Sequence, residues 1–158
     1  MEFDPAEADL SLASLFTGWA LADKLQRRLV ADGFIDTRFA DGVVFQHLVT
    51  GPVTISTLAE RLGVTQQAAS KTVADLEKRG YLSREADPAD ARARRIVLTS
   101  RGEGVIAAAR QHRAALDAEL RQTLGDDRVE QARLLLVEAI SLLGAAPALR
   151  ARAARPPR

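Results

Sequence analysis

Cysteine is absent from this chain of 158 residues, and histidine occurs only twice. Without a thiol there can be no disulfide, no cysteine-ligated zinc, no thiol nucleophile and no cysteine redox sensor. The histidines, His47 and His112, lie far apart and neither belongs to a His-Glu-x-x-His pattern. No P-loop and no dinucleotide glycine fingerprint occurs either. An enzyme is therefore not expected, and no metal or cofactor is implied. His47 reads as a packed or half-exposed polar residue, His112 as a satisfied histidine beside an apolar stripe.

Long apolar runs are missing as well. The most apolar stretch, Leu134 to Leu149, is interrupted by Glu138 and Pro147, and the first residues, Met-Glu-Phe-Asp-Pro, are acidic where a signal peptide would be basic. The expectation is a cytoplasmic protein with no membrane partner. An excess of one charge is lacking too, since the formal net charge is +1. The distribution is uneven: residues 1–53 carry 4 basic and 8 acidic side chains, and residues 54–99 carry 8 and 6. Affinity for a polyanion would have to come from a local footprint.

What is present is a hydrophobic content of 47%, enough for one substantial core and a single domain over 1–158. The informative segment runs from Thr65 to Thr99. Thr65 can cap a helix in which Ala69, Val73 and Leu76 recur at spacings of four and three and face inward. Gly80 ends it, with Lys78 and Arg79 in the last turn, where the helix dipole favours cations. Gln67, Ser70, Lys71 and Ala74 then share the opposite face, with Gln66 beside it. Glutamine can bond adenine bidentately, serine suits any base, and lysine suits guanine or phosphate, so this face suits a major groove.

The neighbours strengthen that reading. Residues 54–63 form a short helix capped by Thr54, with Leu58 and Leu62 one turn apart and Gly63 closing it, and the turn into Thr65 is short. After Gly80, residues 81–84 and 95–98 are two strand candidates around a loop from Glu85 to Arg94. Arg92, Arg94 and Arg95 crowd the return side of that loop, where a DNA backbone or a narrow minor groove would neutralise them. The order helix, turn, helix, strand, loop, strand is a winged helix-turn-helix.

The run from Leu58 to Gly102 resembles the MarR (multiple antibiotic resistance regulator) family of bacterial repressors. Asp87-Pro-Ala-Asp90-Ala-Arg92, followed by Leu98-Thr99 and Gly102, is similar to that family's wing signature, and Leu76-Glu77, Gly80 and Arg84 match the end of its recognition helix and its first wing strand. These motifs cover about a third of the chain. Ala91 stands where the family usually has arginine, which leaves Arg92 as the expected wing-tip contact. The resemblance implies a homodimer on double-stranded DNA with a pseudo-palindromic operator, and a pocket between dimerisation helices and winged part for an aromatic or lipophilic effector. Phe16, Trp19, Phe39, Phe45 and His47 are the candidates near that junction.

The flanking segments fit this plan. Leu12, Leu15, Trp19, Ala22, Leu25 and Leu29 mark a first amphipathic helix over residues 10–31, and a second, with Phe39, Val43 and Val44 inward, is expected over residues 37–49. Beyond Thr99 a long helix is followed, after Gly125, by another with Val129, Ala132, Leu136, Ala139 and Leu143 on one side. The expected fold is mainly α with a small β-wing. Residues 37–99 would be the DNA-binding part, residues 10–31 and 100–144 the dimerisation helices, and residues 145–158 a disordered basic tail. The DNA-contacting set is Thr65, Gln66, Gln67, Ser70, Lys71, Arg92, Arg94 and Arg95. Two other readings stay open: an architectural DNA-binding protein without ligand control, and a winged module that binds protein.

Overall fold

The first helix, α1 (Leu10–Ala31), has the extent that its apolar spacing predicts. Asp9 caps it by accepting from the Leu12 backbone N–H at 2.9 Å, and Gly33, at φ 93°, turns the chain away from its end. The computed structural model describes residues 7–88 and 90–147, leaving out the side chains of residues 90–93. The expected tail from 148 onward lies outside the described residues.

The second helix is shorter than its apolar pattern suggests. It spans only Asp41–Phe45 (α2), because Asp41 closes the preceding turn by accepting from the Arg38 N–H at 2.8 Å. After Phe45 the backbone bonds shift to three-residue spacing, from His47 N–H to Val44 O and from Leu48 N–H to Phe45 O. Phe39, expected to point inward on this helix, precedes it and is 67% exposed. Val44 is buried as expected and Val43 half-buried, and Phe45 is buried too.

A two-residue strand, β1 (Val53–Thr54), leads into α3 (Ile55–Leu62) and α4 (Gln66–Lys78). The threonine caps read from the sequence are in place: the Thr54 hydroxyl accepts from Thr57 N–H at 3.2 Å and that of Thr65 from Ala68 N–H at 3.1 Å. Gly63 adopts the left-handed conformation, φ 59°, that a tight turn between the two helices requires.

The wing is more regular than expected. Where a loop from Glu85 to Arg94 was the sequence reading, β2 (Leu82–Asp87) and β3 (Asp90–Leu98) form an antiparallel ladder almost to the tip. Opposite charges sit across it, Glu85 facing Arg95, and Arg95 pairs with Asp87 at 3.5 Å. Cross-strand charge pairing supports strands whose glutamate, aspartate and alanine residues have little β-propensity of their own. β1 adds to the far edge of β3, giving sheet order β1-β3-β2.

Tyr81, Leu58, Leu76, Ile96, Val73 and Val105 are the largest fully buried side chains, so the core lies where α3, α4, the sheet and the next helix meet. That helix, α5 (Ser100–Leu124), is capped by Thr99, whose hydroxyl accepts from Gly102 N–H at 3.1 Å and donates to Gly80 O at 2.6 Å. Its first turn therefore rests on the corner that ends α4. Last comes α6 (Asp126–Leu142), in which no residue is buried. Leu134, Leu135, Leu136 and Val137 are exposed, as are Leu15, Phe16 and Trp19 on α1. Among the described residues no helix is long and apolar enough to cross a membrane.

Gly102 marks the closest approach in this packing, since a Cβ there would overlap the Tyr81 carbonyl oxygen. Gly102→Ala should lower stability by about 1–3 kcal/mol in chemical denaturation through forced displacement of α5. Gly104→Ala, whose Cβ would meet only the Phe34 ring at 3.5 Å, should be neutral or stabilising by up to about 1 kcal/mol.

Candidate nucleic-acid interface

One side of α4 is entirely buried and the other is open. Ala69, Val73 and Leu76 have no exposure, whereas Gln66, Gln67, Lys71 and Ala74 are exposed and Ser70 is half-buried. The open side carries amide, hydroxyl and ammonium groups near the helix N-terminus, where the dipole also favours an anion. Thr65 stands at this end with its hydroxyl engaged as the cap acceptor, leaving its proton free to donate.

On the wing, Arg94 is exposed and Arg95 is half-buried against Asp87. Neighbours on a strand point to opposite faces, so these two cannot act on one surface as a loop would have allowed. Arg92 lies in β3, and its side chain is outside the described residues.

The far end of α4 is held by a polar cluster that sequence reading missed. Arg79, read as a dipole-favoured cation, is the C-cap of α4, and its guanidinium is only 10% exposed. It donates twice to the Asp41 carboxylate, at 2.6 and 3.0 Å, once to Asp75 at 2.7 Å and once to the Asp36 carbonyl at 2.8 Å. The Asp41 carboxylate, foremost, raises the Arg79 pKa far above its ordinary value, so this charge is permanent. Beside it the Tyr81 hydroxyl lies 2.6 Å from both the Thr37 hydroxyl and the Asp36 carboxylate. Arg101, at the start of α5, donates to Asp36 at 2.8 Å and packs over the Tyr81 ring. The Tyr81 hydrogen bond, then Arg101, hold the Asp36 carboxyl below the usual carboxylate range. Asp36 and Asp41 are some forty residues from Arg79 and Tyr81, so no local signal could reveal these bonds.

A cavity of about 360 Å³ opens between α1, the segment around α2, and α5. Leu25, Leu29, Phe45, Val49, Val105 and Ile106 form its apolar walls, and Arg38, Arg110 and Arg113 also line it. Of the five aromatic and histidine candidates, Phe39 and Phe45 line this cavity. Phe16 and Trp19 do not; they meet edge to face on the exposed side of α1, with ring centroids 5.5 Å apart. His47 is buried outside it, and His112 contacts Asp32 at 2.6 Å. Among the described residues no group of histidines and carboxylates is arranged to hold a metal.

Two helices joined by a tight turn, an open polar face on the second and a two-stranded wing behind it define a winged helix-turn-helix protein. A MarR family model matches residues 43–93. Over that stretch, which takes in α3, α4 and most of the wing, the chain is similar to the MarR family, as its motifs suggest. Three solved structures show the same fold over most of the chain. The YusO protein from Bacillus subtilis is 22% identical, over 84% of this chain and 91% of its own, with a TM-score of 0.65. A MarR-like transcriptional regulator from Thermotoga maritima is 26% identical over 85% and 99%, with a TM-score of 0.62. A mutant of MepR from S. aureus bound to an oligodeoxyribonucleotide is 22% identical over 87% and 99%, with a TM-score of 0.59. No curated protein sequence matches the chain.

The depressed Asp36 pKa sets a pH window. A carboxylate whose pKa is lowered on folding contributes stability above its unfolded pKa and loses it as pH falls through the folded value. Asp36→Asn should therefore lower the melting temperature at pH 7. The gap from wild type should close as pH drops below about 4, and calorimetry across that range checks it.

Proposed function

We propose that this chain is a dimeric, sequence-specific regulator of transcription that binds double-stranded DNA, a repressor released by a small lipophilic or aromatic ligand. The observation that carries DNA binding is the pairing on α4 of a fully buried apolar side with an open side bearing Gln66, Gln67 and Lys71, Ser70 half-open between them. In this reading those residues, with Thr65, meet bases and phosphates in the major groove, while Arg92 and Arg94 serve the backbone or the adjacent minor groove and Arg95, on the other face of β3, braces the wing through Asp87. Residues 37–99 are the DNA-binding part.

Two copies are needed to cover the exposed leucines of α6 and the exposed Leu15, Phe16 and Trp19 of α1. A two-fold axis through these helices would set two recognition helices about one DNA turn apart, roughly 34 Å, and make the operator pseudo-palindromic. The regions 10–31 and 100–144 are the dimerisation helices. The apolar cavity with arginines in its lining suits an effector with a lipophilic body and an anionic group. A tenfold loss of DNA affinity needs about 1.4 kcal/mol of differential binding by that effector, and DNA must weaken the effector equally.

Duplexes selected from a random pool by the purified protein, titrated at a fixed salt concentration, test the DNA reading. Gln67→Ala should cost about 1–3 kcal/mol on the selected duplex and little on random DNA. Equal losses on both would leave an architectural protein, and no selection of DNA at all would leave a protein-binding module. Truncation after Gly125, which removes α6, should give monomer or aggregate in light scattering; a DNA-competent dimer of that variant would defeat the proposed assembly.

A further inference from the structure

Arg38 belongs to two neighbourhoods at once. It lines the cavity, and its guanidinium reaches Asp75 on α4 at 3.2 Å. Asp75 also accepts from Arg79 at 2.7 Å, so two cations share one carboxylate near the C-terminal end of the helix that carries the reading face. The two pairs differ in strength. Arg79 is 10% exposed and also locked onto Asp41, whereas Arg38 is 66% and Asp75 41% exposed. Exposed pairs are weak, and the weak one of these two is the one that faces the cavity.

Among the described residues, Arg110 and Arg113 of α5, which line the same cavity, have no carboxylate within ion-pairing distance. No acidic side chain among the described residues lines the cavity. For an entering anionic group the cavity is therefore lined by three arginines, two without a carboxylate partner among the described residues and a third held only by an exposed pair.

We infer that Arg38 transmits occupancy of the cavity to α4: a bound anion draws the Arg38 guanidinium off Asp75, and the end of α4 is then held by Arg79 alone. This rests on the cavity reading proposed above and specifies how that site acts. Anion and Asp75 compete for Arg38, so the coupling is reciprocal and limited by the strength of an exposed ion pair, to less than about fivefold per chain. The buried Arg79–Asp41 pair stays intact in both states, which keeps α4 docked while its fastening loosens.

Salicylate serves as the probe anion, with calorimetry for binding and amide hydrogen exchange for α4. Asp75→Asn frees Arg38 without touching the cavity lining, so it should bind salicylate up to about fivefold more tightly than wild type, and Arg38→Gln should bind it more weakly. Saturating salicylate should speed exchange of the amides from Val73 to Arg79 by up to about fivefold in wild type and leave those of Asp75→Asn unchanged. Equal or weaker binding by Asp75→Asn, or an unaltered response of its α4 amides, overturns the coupling while the cavity reading survives. No binding of salicylate by any of the three proteins removes the cavity reading and the coupling together.

Discussion

The reading face of α4 is only as well aimed as its far end is held, and the buried group that holds it is the Arg79 guanidinium. Arg79 spans three backbone regions: its own helix through Asp75, the start of α2 through Asp41, and the segment after α1 through the Asp36 carbonyl. Burial of such a charge is costly, and the bidentate geometry with a charged acceptor is what offsets the lost hydration. Once made, the arrangement tolerates little movement, because displacement would leave Asp41 buried without its cation. An apolar contact at the same place would hold α4 against the core but would let it slide.

Around this point the polar groups form a belt between the two halves of the chain. Tyr81 joins Thr37 and Asp36, Arg101 joins both Asp36 and the Tyr81 ring, and Thr99 ties α5 to Gly80. Further along, Lys24 and Arg28 on α1 meet Glu119 on α5, and His112 on α5 meets Asp32 at the end of α1. The belt connects the winged part to α1 and α5 through directional bonds, while the apolar cavity lies just beside it. Arg38, in the cavity lining, bonds Asp75, which also accepts from Arg79.

Most of the exposed large apolar side chains among the described residues lie on the helices flanking the winged part. No residue of α6 is fully buried in a single chain, and its leucines follow the sequence without a break from Leu134 to Leu136. Such a surface is unusual on a monomer, and it motivates the dimer proposed above.

Local patterns were enough to place α1, α3 and α4, the threonine caps of α3 and α4, and the glycines that end them, because each of those features depends on residues within one or two turns. The buried face of α4 was legible for the same reason: a helix has a fixed period, and Ala69, Val73 and Leu76 follow it. The second helix was overread because apolar spacing cannot register that Asp41 bonds Arg38 and starts the helix late. The wing was underread, since its strands depend on partners across the hairpin and along β1. The Arg79 cluster was invisible, and the cavity was expected only from the family resemblance, as both join residues from α1 to α5 whose proximity exists only in the folded chain. The sequence by itself determined which segments become helices and which side of α4 is apolar, through short-range periodicity and capping; only tertiary structure decided how α4 is anchored and what surrounds the cavity, because ion pairs and enclosed volume depend on distance in space.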